Sequence, residues 1–151
     1  MKIGFCGTMS VGKTTLVNAL KELPEFKDYY FRTERSKHLM DLGIPLNTDR
    51  TVVDVMAFAN LSTSMGYREK VFLALTIEPL INEYDLLFYV SPEGVEIEDN
   101  GVRETDADYR IAIDEEIKSI IQMNGGKKII TIKGAVEERI KQVKSAITQY
   151  V

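Results

Sequence analysis

The stretch Gly7-Thr8-Met9-Ser10-Val11-Gly12-Lys13-Thr14-Thr15 decides the fold, because it fits the pattern G-x-x-x-x-G-K-[ST] without a mismatch. Residues 2–6, just before it, form a short and largely apolar run that predicts a buried strand. Behind it, apolar residues recur at helical spacing over residues 16–23, and Pro24 limits that helix. A strand, a glycine-rich loop and a helix in this order are the context in which the pattern predicts a phosphate-binding loop.

The chemistry of such a loop gives its positions separate roles. Gly7 and Gly12 let the chain curl so that successive backbone N–H groups point at an anion. The helix that begins near Lys13 adds the positive end of its dipole, and the Lys13 ammonium reaches the β- and γ-phosphates of ATP. The Thr14 hydroxyl is placed to ligate Mg²⁺. We therefore predict that ATP binds along the loop, at Gly7, Thr8, Met9, Ser10, Val11, Gly12, Lys13, Thr14 and Thr15. A glycine-rich turn that binds nothing is the alternative, which the complete pattern disfavours.

Length and composition predict one domain of ordinary globular type. A chain of 151 residues is long enough to bury its own core. The net charge of −4 and the lack of a dense Lys/Arg run make a nucleic-acid partner less favoured than a small molecule. The single cysteine, Cys6, gives no disulfide framework. Because no apolar run is long enough to span a bilayer, we expect a cytoplasmic protein with no membrane partner.

Strand and helix signals alternate along the rest of the chain. Apolar or β-prone runs predict strands at residues 29–34, 85–90 and 127–132. Helical periodicity predicts five further helices, over about 36–42, up to about residue 64, over 68–82, over 106–123 and from 136 onward. Asp49 is the predicted N-cap of the second of these helices. Pro79 is expected to bend or break the last turn of the third. Such alternation predicts a three-layer α/β fold of the P-loop NTPase type, with a parallel sheet of four to five strands flanked by helices.

Several classes of protein use such a loop, and the residues that follow it separate them. A GTPase needs a late Asn-Lys-x-Asp motif, which residues 124–127 do not supply. A ring ATPase needs a longer core and an apolar run that ends in Asp-Glu, whereas the central run here ends in Val90-Ser91-Pro92. A small phosphotransferase remains, and it needs a lid that excludes water and carries arginines. The segment 93–110, with Arg103 and Arg110, has the position and composition of such a lid; surface ion pairs are the alternative for both arginines.

These motifs resemble those of the small P-loop nucleoside and nucleotide kinases, the group that holds thymidylate kinase, deoxynucleoside kinases and nicotinamide riboside kinase. The chain is especially similar to the compact members encoded by large DNA bacteriophages. The resemblance covers most of the chain, and it implies a single kinase domain over residues 1–151 with an acceptor-binding part at about 34–66 and a lid at about 93–110. Its anchors are the loop itself, Asp49-Arg50 followed by Asp54, Gly101-Val102-Arg103 with Tyr109-Arg110, and Gly134 followed by Glu138-Arg139.

The resemblance implies a set of catalytic residues. Glu34 would bind the acceptor or take the proton of its hydroxyl group, which fits its place at the carboxyl end of a predicted strand. Asp49 would lie near Mg²⁺ or its waters. Lys13, Arg103 and Arg110 would stabilise the charge of the transferred phosphoryl group.

Binding residues are implied in the same way. Arg50, together with Glu34, would contact the acceptor or its phosphate, and Gly134 and Arg139 would lie beside the adenine ring. If the acceptor is a monophosphate, arginines such as Arg32, Arg35 or Arg50 would neutralise its charge. In the family a stretch of helix and a strand separate the Glu34 helix from the Asp-Arg pair, but residues 43–50 leave no room for either. Part of the acceptor site has therefore been lost, or a segment is absent from the sequence.

The function that these observations favour is ATP- and Mg²⁺-dependent phosphorylation of a nucleoside or a (deoxy)nucleoside monophosphate. Two alternatives stay open: a kinase that acts on a modified nucleoside within DNA, and a P-loop ATPase or nucleotide-binding regulator with no small-molecule acceptor. The sequence leaves a homodimer open as well, and a phage-encoded member would act in the host cytoplasm.

Overall fold

A computed structural model describes residues 1–8, 11–29, 51–93, 107–123 and 129–150. Strands and helices alternate through these residues, as the sequence predicts. In chain order the elements are β1 (Ile3–Cys6), α1 (Lys13–Lys21), a 3₁₀ helix (Pro24–Phe26), α2 (Val52–Leu61), α3 (Tyr67–Asn82), β2 (Leu86–Val90), α4 (Ala107–Met123), β3 (Ile129–Ile132) and α5 (Val136–Tyr150).

The strands of the described residues form one parallel sheet in the order β1-β2-β3. Phe5 of β1 is the register partner of Phe88 in β2, which in turn faces Ile130 in β3. Every residue of the central strand β2 is buried, as expected of a parallel strand that is covered on both faces. The parallel α/β sheet is thus confirmed. The count of four to five strands is not, because three strands are found in the described residues and all but Tyr29 of the predicted strand at 29–34 lies outside them.

Helices cover both faces of the sheet. Side chains alternate along β2, so successive residues of this strand pack against different helices. Leu86, Phe88 and Val90 join the core cluster that contains residues of α1 and α5. Leu87 and Tyr89 join the cluster that contains residues of α2, α3 and α4. The sheet is therefore sandwiched between two helical layers. Among the described helices, none is both long enough and apolar enough to cross a membrane.

The structure differs from the sequence predictions at two helix ends. The N-cap of α2 is Thr51 rather than Asp49, and the Thr51 N–H donates to Oδ2 of Asp54 at 3.0 Å. The helix α3 continues through Pro79 to Asn82 without a break. Pro79 and Leu75, the residue whose carbonyl loses its hydrogen bond, are both exposed, so water can replace the missing donor.

The different burial of Phe88 and Phe72 predicts that alanine substitutions at these two positions change the free energy of unfolding by different amounts. Phe88 is 0% exposed and stacks on Phe5 with a centroid distance of 5.2 Å, whereas Phe72 on α3 is 74% exposed. We expect Phe88→Ala to lower the free energy of unfolding by about 3–5 kcal/mol, and the matched control Phe72→Ala to change it by less than about 0.5 kcal/mol. Urea unfolding followed by circular dichroism measures both values. Equal losses in the two variants would contradict this core assignment.

Candidate phosphate-binding site

The loop with the G-x-x-x-x-G-K-[ST] pattern connects β1 to α1, so it lies at the carboxyl edge of the parallel sheet. In open α/β sheets this edge is where ligands bind. The structure describes Gly7, Thr8 and residues 11–15 of the loop, whereas Met9 and Ser10 lie outside the described residues.

The structure explains why both of these positions in the pattern are glycine. A Cβ atom on Gly7 would lie 2.7 Å from the carbonyl oxygen of Val90, so only glycine lets the loop lie this close to the end of β2. Gly12 has φ 84°, a left-handed conformation that glycine adopts easily, and it forms the N-cap of α1. The Leu16 N–H donates to the Gly12 carbonyl at 2.9 Å, which starts the helix directly behind the loop. The positive end of α1 therefore lies at the loop, as predicted.

The Lys13 side chain folds back over the start of the loop. Its ammonium group donates to the Gly7 carbonyl and lies 3.6 Å from Oδ1 of Asp54. The Lys13 side chain is only 12% exposed, so its charge is held within the site rather than in bulk water. A cation at this point is what a polyphosphate requires.

Asp54 is a buried carboxylate that contacts the loop. Its Oδ1 accepts a hydrogen bond of 2.9 Å from the Gly7 N–H, and its Oδ2 accepts from the Thr51 N–H and, at 3.2 Å, from Thr51 Oγ1. Sequence reasoning used Asp54 only as part of a family motif and gave it no role. The spacing Thr51-x-x-Asp54 is that of a capping box, and this signal could have placed the carboxylate at the first turn of α2.

The loop is also joined to α4, the helix that carries Arg110. The hydroxyl group of Thr8 donates to the backbone carbonyl of Arg110 at 2.9 Å. The first turn of α4 therefore lies against the loop, which brings Thr8 and Arg110 of the predicted site together. Burial lowers the pKa of the Arg110 guanidinium, and the negative charge of Asp114 opposes that shift.

Asp114 is a second buried carboxylate that the sequence did not reveal. It accepts a hydrogen bond from the Tyr89 hydroxyl, and Lys118 forms an ion pair with it at 3.2 Å. Burial raises the pKa of Tyr89, and the bond to Asp114 raises it further. Because Asp114 lies one helical turn after Arg110, it supplies negative charge close to the predicted lid arginine.

Arg139 joins three backbone segments near the loop. Its guanidinium donates to the Gly134 carbonyl at 2.8 Å, to the Ser91 carbonyl at 3.1 Å, and to the Val11 carbonyl in the loop. The residue is 2% exposed, and burial lowers its pKa. Gly134, with φ 98°, forms the turn before α5 that brings its carbonyl to Arg139. The predicted place of Gly134 and Arg139 beside adenine stays a prediction, because the described contacts of Arg139 are to protein carbonyls.

Several predicted site residues lie outside the described residues. They are Met9, Ser10, Glu34, Arg35, Asp49, Arg50 and Arg103. No group of three or more His, Cys, Asp or Glu side chains forms a metal-binding cluster within the described part of the chain. The described residue that a magnesium ion would use is Thr14, and the fit to a metal–nucleotide complex rests on Lys13 and the two loop glycines.

The fold of the chain is similar to that of a solved protein. The crystal structure described as the NadR protein in complex with NR matches with a TM-score of 0.62 and 17% sequence identity, over 98% of this chain and 50% of that chain. At this level of identity the likeness shows the fold alone. The chain spans about half the length of the NadR structure. No curated protein matches its sequence.

A family model described as an AAA domain, AAA_28, matches residues 35–139. The match begins after the phosphate-binding loop and ends at Arg139, whose guanidinium binds that loop at Val11. Because the match covers more than half of the sequence, this chain belongs to the AAA_28 family of AAA domains.

Proposed function

We propose that this protein is an ATP- and Mg²⁺-dependent phosphotransferase that phosphorylates a nucleoside or a (deoxy)nucleoside monophosphate. The observation that carries the proposal is the Lys13 ammonium, which donates a hydrogen bond to the Gly7 carbonyl at the start of the loop. On binding ATP it exchanges this carbonyl for the β- and γ-phosphates. Gly12 adopts the left-handed conformation that a tight anion-binding turn of the backbone uses.

The acceptor is proposed to be a small molecule. The net charge of −4 gives no general attraction for a polyanion. The NadR protein, which is similar in fold over half of its chain, was crystallised in complex with NR. This supports the proposal that a protein of this fold binds a ligand. Glu34, Arg35 and Arg50 are the residues proposed to bind the acceptor, with Glu34 taking the proton if the acceptor is a hydroxyl group.

The residues around the phosphates are proposed to act mainly through charge. Thr14 and Asp49 are the residues proposed to hold Mg²⁺, which would supply positive charge that offsets the negative charge of the phosphates. Arg110 and Arg103 would approach the transferred phosphoryl group and exclude water from it. The contact of Thr8 with the Arg110 carbonyl supports this role, because it ties the start of α4 to the loop.

A second candidate function is ATP hydrolysis without an acceptor, which the family description as an AAA domain favours. The two candidates differ in where the γ-phosphate goes. We suggest incubating the protein with Mg²⁺ and ATP labelled at the γ-phosphate, in the presence of nucleosides, nucleoside monophosphates or DNA. Label in a small acceptor supports the proposal, whereas equal phosphate release with and without acceptors supports the ATPase. Label in DNA that falls steeply with salt supports a kinase acting on DNA.

Lys13→Ala tests the donor site. We expect the rate of phosphoryl transfer to fall by about 10²-fold or more, because the variant loses a cation that stabilises charge in the transition state. Lys21→Ala, at the exposed carboxyl end of the same helix, is the matched control and should keep the wild-type rate. Circular dichroism confirms that both variants are folded. Wild-type turnover in folded Lys13→Ala would rule out the mechanism.

Arg103→Ala and Arg110→Ala test the lid. We expect kcat to fall by about tenfold or more while the ATP dissociation constant changes by less than about threefold, since the proposed partner of each arginine is charge that develops in the transition state. Arg110→Ala leaves the backbone carbonyl that Thr8 contacts, so the loop keeps this hydrogen bond. Steady-state kinetics and calorimetry give the two quantities. Equal losses in kcat and affinity would mean that the arginines serve only to bind ATP.

A further inference from the structure

We propose that Asp54 is a positioning residue for the phosphate-binding loop. Its carboxylate fixes Gly7 at the start of the loop, and it holds the Lys13 ammonium until the phosphates of a nucleotide take that ammonium over. The inference rests on the proposed function only in taking a nucleotide as the ligand of the loop.

The contacts of Asp54 divide between the loop and the cap of α2. Oδ1 accepts from the Gly7 N–H at 2.9 Å and lies 3.6 Å from the Lys13 ammonium. Oδ2 accepts from the Thr51 N–H at 3.0 Å and from the Thr51 hydroxyl at 3.2 Å. The carboxylate is 0% exposed, and a buried charge is tolerated only with partners of this kind. Asp54 therefore links the loop to a helix that begins more than forty residues later in the sequence.

Both backbone polar groups of Gly7, the N–H and the carbonyl, form hydrogen bonds within the protein. Its N–H donates to Asp54, so this group is directed at α2 and not at a phosphate, and its carbonyl accepts from Lys13. Where a side chain would be attached to Gly7, the Val90 carbonyl leaves no space for a Cβ atom. The start of the loop is thus fixed before any ligand arrives. A site that is ordered in advance loses less conformational entropy on binding.

The charge of Asp54 acts on binding in the opposite direction from its hydrogen bond. A carboxylate next to Lys13 competes with phosphate for the ammonium and repels the phosphate itself. The hydrogen bond to Gly7, in contrast, holds the start of the loop in place. Asparagine removes the charge and keeps an acceptor for the Gly7 N–H, whereas alanine removes both. The two substitutions therefore separate the two effects.

A direct role as a magnesium ligand makes a different prediction. Both oxygens of Asp54 already accept hydrogen bonds from protein groups. A positioning residue changes nucleotide binding when no metal is present, whereas a metal ligand changes only the binding that depends on Mg²⁺. The affinity for ADP in EDTA and in Mg²⁺ distinguishes them.

The experiment is calorimetric titration of the full chain with ADP in EDTA and in Mg²⁺. In EDTA we expect Asp54→Asn to bind ADP about tenfold more tightly than the wild type, because the competing charge is gone. We expect Asp54→Ala to bind about tenfold more weakly than Asp54→Asn, because the Gly7 N–H has lost its acceptor. The proposal is overturned if Asp54→Asn binds ADP in EDTA no more tightly than the wild type. It is also overturned if Asp54→Ala and Asp54→Asn have the same affinity for ADP. A change confined to the Mg²⁺ titration would identify a metal ligand and also overturn it.

Asp85→Asn is the matched control. Asp85 likewise accepts a backbone hydrogen bond, from the Lys2 N–H at 2.5 Å, but it precedes β2 and so lies at the opposite edge of the sheet. Its ADP affinity should stay within about twofold of the wild-type value in both buffers, because a charge that far from the loop is screened. A shift equal to that of Asp54→Asn would show a general effect of net charge and overturn the proposal.

A measurement on the wild type keeps the test independent of how the variants fold. Amide hydrogen exchange followed by NMR should show the Gly7 N–H protected in the nucleotide-free protein, with no further protection when ADP is added. A Gly7 amide that becomes protected only with ADP overturns the proposal. If the wild type binds no ADP in either buffer, the proposed function fails, while the Gly7 amide still decides whether Asp54 holds the loop.

Discussion

The close approach of Gly7 to the end of β2 is the constraint on which the site depends. A Cβ atom at Gly7 would meet the Val90 carbonyl at 2.7 Å, so the loop follows the surface of the central strand. That strand is buried along its whole length, and parallel pairing to β1 and β3 fixes its position. The sheet therefore fixes the position at which the loop begins. A site built on a rigid element in this way can hold a ligand in one geometry.

Buried ionic groups complete this arrangement at the carboxyl edge. Asp54 binds the start of the loop, and Arg139 binds its middle at Val11 and the end of β2 at Ser91. In the described residues no buried side-chain nitrogen or oxygen lacks a hydrogen-bond partner. Because an unpartnered buried charge costs several kcal/mol, loop conformations that break these contacts are disfavoured. The polar groups thus hold the loop at Gly7 and Val11, while the two apolar clusters stabilise the fold as a whole.

The sequence predicted the features that depend on local patterns. The apolar run of β2, the helix behind the loop and the periodicity of α5 all follow from the spacing of neighbouring residues. The contacts of Asp54 with Gly7 and of Arg139 with Val11 join residues far apart in the chain, and no local pattern encodes them. Arg139 illustrates the difference, since it lies buried on a helix whose charged residues are expected to be solvated. Asp49 was expected to cap α2 because a polar residue precedes the helix, but the pair Thr51 and Asp54 forms the cap instead.

The same contacts bear on the proposed separation of a donor site from an acceptor site. The proposed donor side is built from β1, α1, the end of β2 and the first turns of α2 and α4, all of which adjoin or contact the loop. For residues 43–50 the resemblance leaves two alternatives: part of the acceptor site has been lost, or a segment is absent from the sequence. These residues end just before Thr51, whose hydrogen bonds to Asp54 cap α2. Function resides in sites placed on a fold, and under the proposed function the loop would bind the donor while Glu34, Arg35 and Arg50, which precede Thr51, would bind the acceptor.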